Sequence, residues 1–190
     1  MSNPTETYAR VVDGKVVEYP VYRDFITNRS HPLSWYTRVD VSNYPTQIPR
    51  FHTVVESVSV VNGKCVANYT FQPLSLDSVL CLVPTDAAPD AELVKRITDL
   101  AIEAVQAKLD KFAATRGYGD SRTSPIVSVC TYAMSANARF AAEAQYCVTK
   151  RDETWAAMYA LFDSVTAGAR AFPKSFADID AALPALAWPA

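Results

Sequence analysis

Covalent catalysis needs a serine or cysteine set beside a base, most often histidine. This chain of 190 residues holds two histidines, His31 and His52, and four cysteines, Cys65, Cys81, Cys130 and Cys147. His31 stands in the proline-rich stretch NRSHPLSWY and His52 opens a strand-like run, so both read as structural. The cysteines lie 16, 49 and 17 positions apart, with no CxxC knuckle, and no two of the Cys and His residues are close enough in sequence for a zinc-binding spacing. Buried free thiols, no metal and no cofactor are therefore expected. A glycosidic pair could draw on Glu56, Asp77, Asp120 or Glu143, but it needs two carboxyls ~5 to 10 Å apart and the spacing gives no reason to pair any of them. Neither GxGxxG nor GxxxxGK[ST] occurs; Arg116-Gly117-Tyr118-Gly119-Asp120 is the one glycine cluster. It reads as a helix C-cap and turn, with a small anion loop as the alternative. No catalytic residue is predicted, and the chain reads as no enzyme.

Binding is better represented than catalysis. Tyr22, Phe25, Trp35, Tyr36 and Tyr44 fall among Pro20, Pro32, Pro45 and Pro49, a mixture that suits either a core or protein docking. These five residues are the predicted partner interface. Further along, Arg151 interrupts an apolar helical stripe four residues before Trp155. A charge there needs a partner, so the sequence predicts a structural core clamp of Arg151 and Trp155, with the guanidinium stacked on the ring or paired with Asp99 or Glu103.

The elements that must position these residues divide by composition. Residues 1–85 hold 2 Ala and 15 Val, and residues 86–190 hold 26 Ala and 6 Val. Valine loses rotamer freedom in a helix and packs well on a pleated sheet, while alanine is the best helix former. The reading is an α+β fold: N-terminal antiparallel β-hairpins with a loop-rich segment, and a C-terminal helical hairpin or small bundle. The expected domains are a β-rich, partner-binding 1–85 and a helical 86–190. Asp13-Gly14 and Asn62-Gly63 are type I′ hairpin dipeptides. In the second hairpin His52, Val54, Glu56, Val58 and Val60 share one face and Thr53, Val55, Ser57, Ser59 and Val61 the other. The prolines of residues 20–50 predict loops and short edge strands. Leu93, Ile97, Leu100, Ala104, Val105, Leu109 and Phe112 mark a first long helix. Phe140, Ala144, Val148, Trp155, Tyr159 and Phe162 mark a second, from about Asn137 to Thr166, closed by Gly168. A short third helix starts at Ser175 with a capping-box-like Asp178.

With 18 Lys+Arg against 20 Asp+Glu the formal net charge is −2, so no broad basic face for nucleic acid is expected. No stretch reaches the ~18 consecutive apolar residues of a membrane span, and the N-terminus has no signal-peptide pattern.

The run RGYGDSRTSPIVSVCTYAMSANARFAAEAQYCVTKRDETWAAMYALFDSV, from Arg116 to Val165, followed by the closing LPALAWP, resembles a family of small tail proteins of tailed bacteriophages, of the tail fibre assembly-like kind that accompany fibres or baseplates. The hairpin YARVVDGKVVEYPV and the LSLDSV segment look like the front half of such proteins. Residues 20–50 lie outside the recognised run, and no collagen-like or β-helical shaft repeat follows. The resemblance implies a non-enzymatic structural component of a phage tail at the baseplate or fibre attachment, made in the host bacterial cytoplasm and located in the virion tail. It implies other tail proteins as partners, and a homo-oligomer or multiple copies per virion. A tail fibre assembly chaperone is the alternative.

Overall fold

The structure, a computed structural model, describes residues 6–23, 26, 29 and 31–189. It is an α+β fold with its strands in the first part of the chain and its long helices in the second. The chain divides between Leu74 and Ser75 into two compact units, earlier than the expected 85/86.

Both predicted hairpins form. β1 (Thr7–Val12) pairs antiparallel with β2 (Lys15–Tyr22) across Asp13-Gly14, whose φ values are +50° and +72°. β4 (His52–Val61) pairs with β5 (Lys64–Pro73) across Asn62-Gly63, at +50° and +75°. Positive φ at both central positions is what a type I′ turn requires, and Asn, Asp and Gly tolerate it best. Between the hairpins lies β3 (Tyr36–Asp40), and the sheet order is β2-β1-β3-β5-β4. The proline-rich segment was expected to supply only loops and edges, yet β3 occupies the centre, antiparallel to β1 and parallel to β5 through Val39↔Cys65 and Asp40↔Val66. The reason is local: Pro32 and Pro45 bracket the strand, and YTRVD itself keeps every N–H for the ladders.

Side chains alternate across this sheet, and each face has its own core. Tyr8, Val21, Ile26 and Tyr36 form one cluster. Ala9, Val39, Cys65 and Ala67 form the other, with Val11, Val16, Tyr19, Val58, Val60 and Tyr69 packed against it. The even-numbered face of β4 is thus the inner one. Although β2 and β4 are the terminal strands, the Tyr19 hydroxyl of β2 donates to Glu56 of β4, so the sheet curls until its edges approach.

The second unit begins with α1 (Leu76–Leu80), capped by Ser75. Its buried Leu76, Val79 and Leu80 pack on α2 (Ala91–Ala114), which is why this segment belongs with the helices. α2 is capped by Asp90 and buries Leu93, Ile97, Leu100, Ala101, Val105, Leu109, Phe112 and Ala113. The sequence reading missed α3 (Pro125–Cys130), a short helix started by the Ser124 cap and Pro125 in its first turn, followed by a 3-10 turn over Thr131–Met134. It packs against both α2 and α4 (Ala138–Thr166), where a simple hairpin of the two long helices was expected. Asp110 of α2 holds it there: the carboxylate accepts from Ser124 Oγ at 2.5 Å and Ile126 N at 3.0 Å. α5 (Phe176–Asp180) starts with the Ser175/Asp178 capping box.

The buried stripe of α4 differs from the predicted one. Glu143, Ala144, Cys147, Thr154, Met158, Leu161, Phe162 and Val165 are buried, Trp155 is half-buried, and Phe140 and Tyr159 are exposed. Small residues let the neighbours approach closely at Ala144 and Cys147, and Thr154 joins the core because its hydroxyl donates back to Lys150 O at 2.7 Å. The Arg151/Trp155 clamp is not formed: Arg151 pairs with its neighbour Asp152 at 2.8 Å, Asp99 takes Lys95 at 2.6 Å, and Trp155 stacks on Tyr159. Arg151 sits at the rim of the stripe, where solvent, the adjacent carboxylate and the Cys130 thiol satisfy it in place of an acid from α2. Met158→Ala should cost about 2–5 kcal/mol through the cavity it leaves, and Trp155→Ala no more than about 2 kcal/mol. Chemical denaturation of the two variants tests this ordering.

Candidate functional site

A concave site lies where the inner face of the curled sheet runs out. Along β4 and β5 the inward pairs are Val60↔Cys65, Val58↔Ala67 and then Glu56↔Tyr69, so the face changes from aliphatic to aromatic and charged over one hairpin. Tyr19 and Tyr22 join from β2, Thr7 from β1, and Val41 and Tyr44 from the segment after β3. With Pro20 they enclose a cavity of about 770 Å³. Tyr44 meets Tyr69 edge-on, ring centroids 5.0 Å apart. Burial and the hydrogen bond to Glu56 raise the Tyr19 phenol well above its ordinary value, and burial followed by Glu56 raises Tyr69. Both stay neutral donors over the physiological range.

The predicted interface is divided by the fold. Tyr22 and Tyr44 reach this pocket. Trp35 is exposed elsewhere, tilted against His31 at 5.3 Å and carrying the Arg10 guanidinium at 5.5 Å. Tyr36 is a correction: it is buried in the Tyr8 cluster, its hydroxyl 2.8 Å from His31 Nδ1. As a β3 residue between two neighbours it has one face to give, and that face is core. Phe25 lies outside the described residues. Sequence reading missed Tyr19 and Tyr69 because their place in the pocket depends on curling; the Glu56, Val58, Val60 alternation was the available signal.

A second polar constellation is in the helical unit. Glu143 of α4 is buried, accepting from Arg116 Nη1 at 2.6 Å, Arg139 Nε at 3.0 Å and the Tyr118 hydroxyl at 2.5 Å. The Tyr118 hydrogen bond foremost, with the two arginines, outweighs burial and lowers its pKa to about 2. Burial, then Glu143, pushes Tyr118 up to about 12. Arg116 also lies over the Trp188 ring at 4.6 Å; Trp188 stacks on Phe112 at 4.5 Å and donates Nε1–H to Thr115 Oγ1 at 2.9 Å. The RGYGD cluster is thus a cap and turn joined to the chain's end. Gly119, at φ +88°, leaves no space for a Cβ, which would lie 2.7 Å from Pro125 Cγ. Asp120 folds back to accept from Arg122 N at 2.7 Å and Thr123 N at 2.8 Å, so these two N–H groups are used within the turn.

Of the other chemistry-bearing groups, two hold backbone atoms. His52 Nδ1 bonds Arg50 O at 2.9 Å and Asp77 accepts from Phe176 N at 2.6 Å. The cysteines are free thiols; Cys65 and Cys147 are buried and Cys81 is exposed. Burial raises Cys65, Cys130 and Cys147, the last to about 12. Among the described residues no group of three or more His, Cys, Asp and Glu could hold a metal, and no helix is long and apolar enough to cross a membrane. Comparison with protein-family models, curated proteins and solved structures returns no match.

Because the Glu143 pKa is depressed by folding, its contribution is present above the ordinary carboxylate value and is lost as pH falls from about 4.5 to about 2. Glu143→Gln should cost about 2–3 kcal/mol at neutral pH and flatten the fall of Tm across that acid window. Thermal melts of both proteins at stepped pH check it.

Proposed function

We propose that this chain is a non-enzymatic structural component of a bacteriophage tail, seated at the baseplate or fibre attachment, where it binds other tail proteins in multiple copies. The observation that carries the reading is what becomes of the run resembling phage tail proteins. Its polar residues Arg116, Tyr118, Arg139 and Glu143, together with Trp188 of the closing LPALAWP, are joined in a single network. In that run the conspicuous charges hold helices, a loop and the chain terminus together, which is work of a scaffold. The sheet unit adds an aromatic pocket suited to a partner. Such a subunit works without a cofactor, a nucleic acid or a membrane, and its place is the virion tail after synthesis in the bacterial cytoplasm.

Quantitative mass spectrometry of purified particles should find the chain at a fixed whole-number ratio to the sheath and fibre proteins. Absence from particles, with a soluble complex of the chain and a fibre protein in the lysate, would replace this reading with a tail fibre assembly chaperone.

A further inference from the structure

Four tyrosines and one carboxylate surround the open end of the curled sheet, and we propose that this pocket binds an arginine side chain carried by a partner polypeptide. Tyr19, Tyr22, Tyr44 and Tyr69 supply the rings, and among the described residues Glu56 is the one charged residue lining the cavity. Aromatic faces are the negative side of the ring quadrupole and attract a cation held within about 6 Å. A guanidinium is planar, so it can lie on a tyrosine while its N–H groups reach a carboxylate; an ammonium has no such plane. A carboxylate offers about four acceptor positions, and the Tyr19 hydroxyl fills one, at Oε1. Asp40 adds to the negative field at Tyr69.

The chain already uses this chemistry internally. Arg116 over Trp188, Arg50 over Phe51 and Arg10 over Trp35 are seated at 4.6, 4.6 and 5.5 Å, and none of these pairs involves a pocket tyrosine. The pocket therefore combines rings with a carboxylate, and the described residues of its lining include no cation. A polypeptide is the source because of size and rim. A cavity of about 770 Å³ exceeds one side chain, and Tyr22 and Tyr44, 48% and 53% exposed, extend the aromatic surface to where flanking backbone would rest. The inference goes beyond the tail reading and needs only the sheet unit.

The test titrates the full chain, followed by NMR of the tyrosine rings, with the peptide acetyl-Gly-Gly-Arg-Gly-Gly-amide, its citrulline counterpart and free acetylarginine amide. Citrulline keeps the shape of arginine and removes the charge. The arginine peptide should bind saturably and about tenfold more tightly than the citrulline peptide, a preference of about 1.4 kcal/mol, and more tightly than the free amide. Glu56→Gln keeps an amide oxygen to accept from the Tyr19 hydroxyl, so it should abolish the preference with Tm little changed. Should that variant fold poorly, Tyr19→Phe frees the carboxylate and keeps the ring, and arginine binding should be retained or strengthened. Equal binding of the two peptides, a preference surviving Glu56→Gln, or loss of arginine binding in a folded Tyr19→Phe variant overturns the proposal; equal affinity for the free amide overturns the polypeptide source. Presence of the chain in particles is measured separately, so either reading can fail alone.

Discussion

A carboxylate withdrawn from water has to be answered by donors, and in the helical unit that requirement falls on Glu143. Three side chains meet it, and they come from different places: Arg139 from one turn earlier on α4, and Arg116 and Tyr118 from the loop that leaves α2. The loop can deliver both because Gly117 and Gly119 take positive φ between and after them. Arg116 then extends the chain of dependence to Trp188, whose ring is held between Arg116 and Phe112. One buried charge thus connects the end of α2, the start of α4 and the C-terminal segment. Removing a donor leaves the carboxylate partly unpaired, which makes the assembly cooperative in a way an apolar contact would not be.

Asp110 plays a similar part in the same unit, with neutral donors in place of the arginines. It caps α3 from outside, receiving Ser124 Oγ and Ile126 N, and Gln106 from the same face of α2 at 3.1 Å. The position of a helix of six residues, too short to persist alone, is set by a carboxylate fourteen or more residues away along the chain. The sheet unit follows another rule. Its period-2 alternation builds two cores from one sheet, and the Tyr19–Glu56 bond joins its edge strands. The pocket is a consequence: where the inner face runs out of valine, it becomes tyrosine and glutamate.

Much of this was legible in the sequence. The two hairpin turns followed from dipeptides whose backbone demands are local, α2 from a 3.6-residue apolar rhythm, and the α5 start from a capping box. The α4 stripe was harder to read. Aromatic residues such as Phe140 and Tyr159 match the helical rhythm as well as Met158 does, and only the shape of the neighbouring elements selects which rows are covered. Tyr36 was misplaced among the docking residues for a related reason: it resembles Trp35 and Tyr44 in type, but it alone sits in a strand flanked on both sides. Arg151 looked compelled to find an acid on α2, and instead found Asp152 beside it and the Cys130 thiol of α3.

What the sequence by itself determined was whatever depends on a few neighbouring residues: the valine-rich and alanine-rich halves, the positive-φ turns, the helix caps and the absence of sequence spacings suited to zinc or phosphate. The tertiary structure alone decided the strand order that places β3 at the centre, the curl that brings Tyr19 to Glu56, and the meeting of Arg116, Tyr118 and Arg139 on Glu143. Each of these joins residues far apart in the chain or depends on which face is buried. Propensity and periodicity act over a turn of helix or a pair of strands. Burial of a face, and the pairing of a buried charge, depend on the whole packed unit.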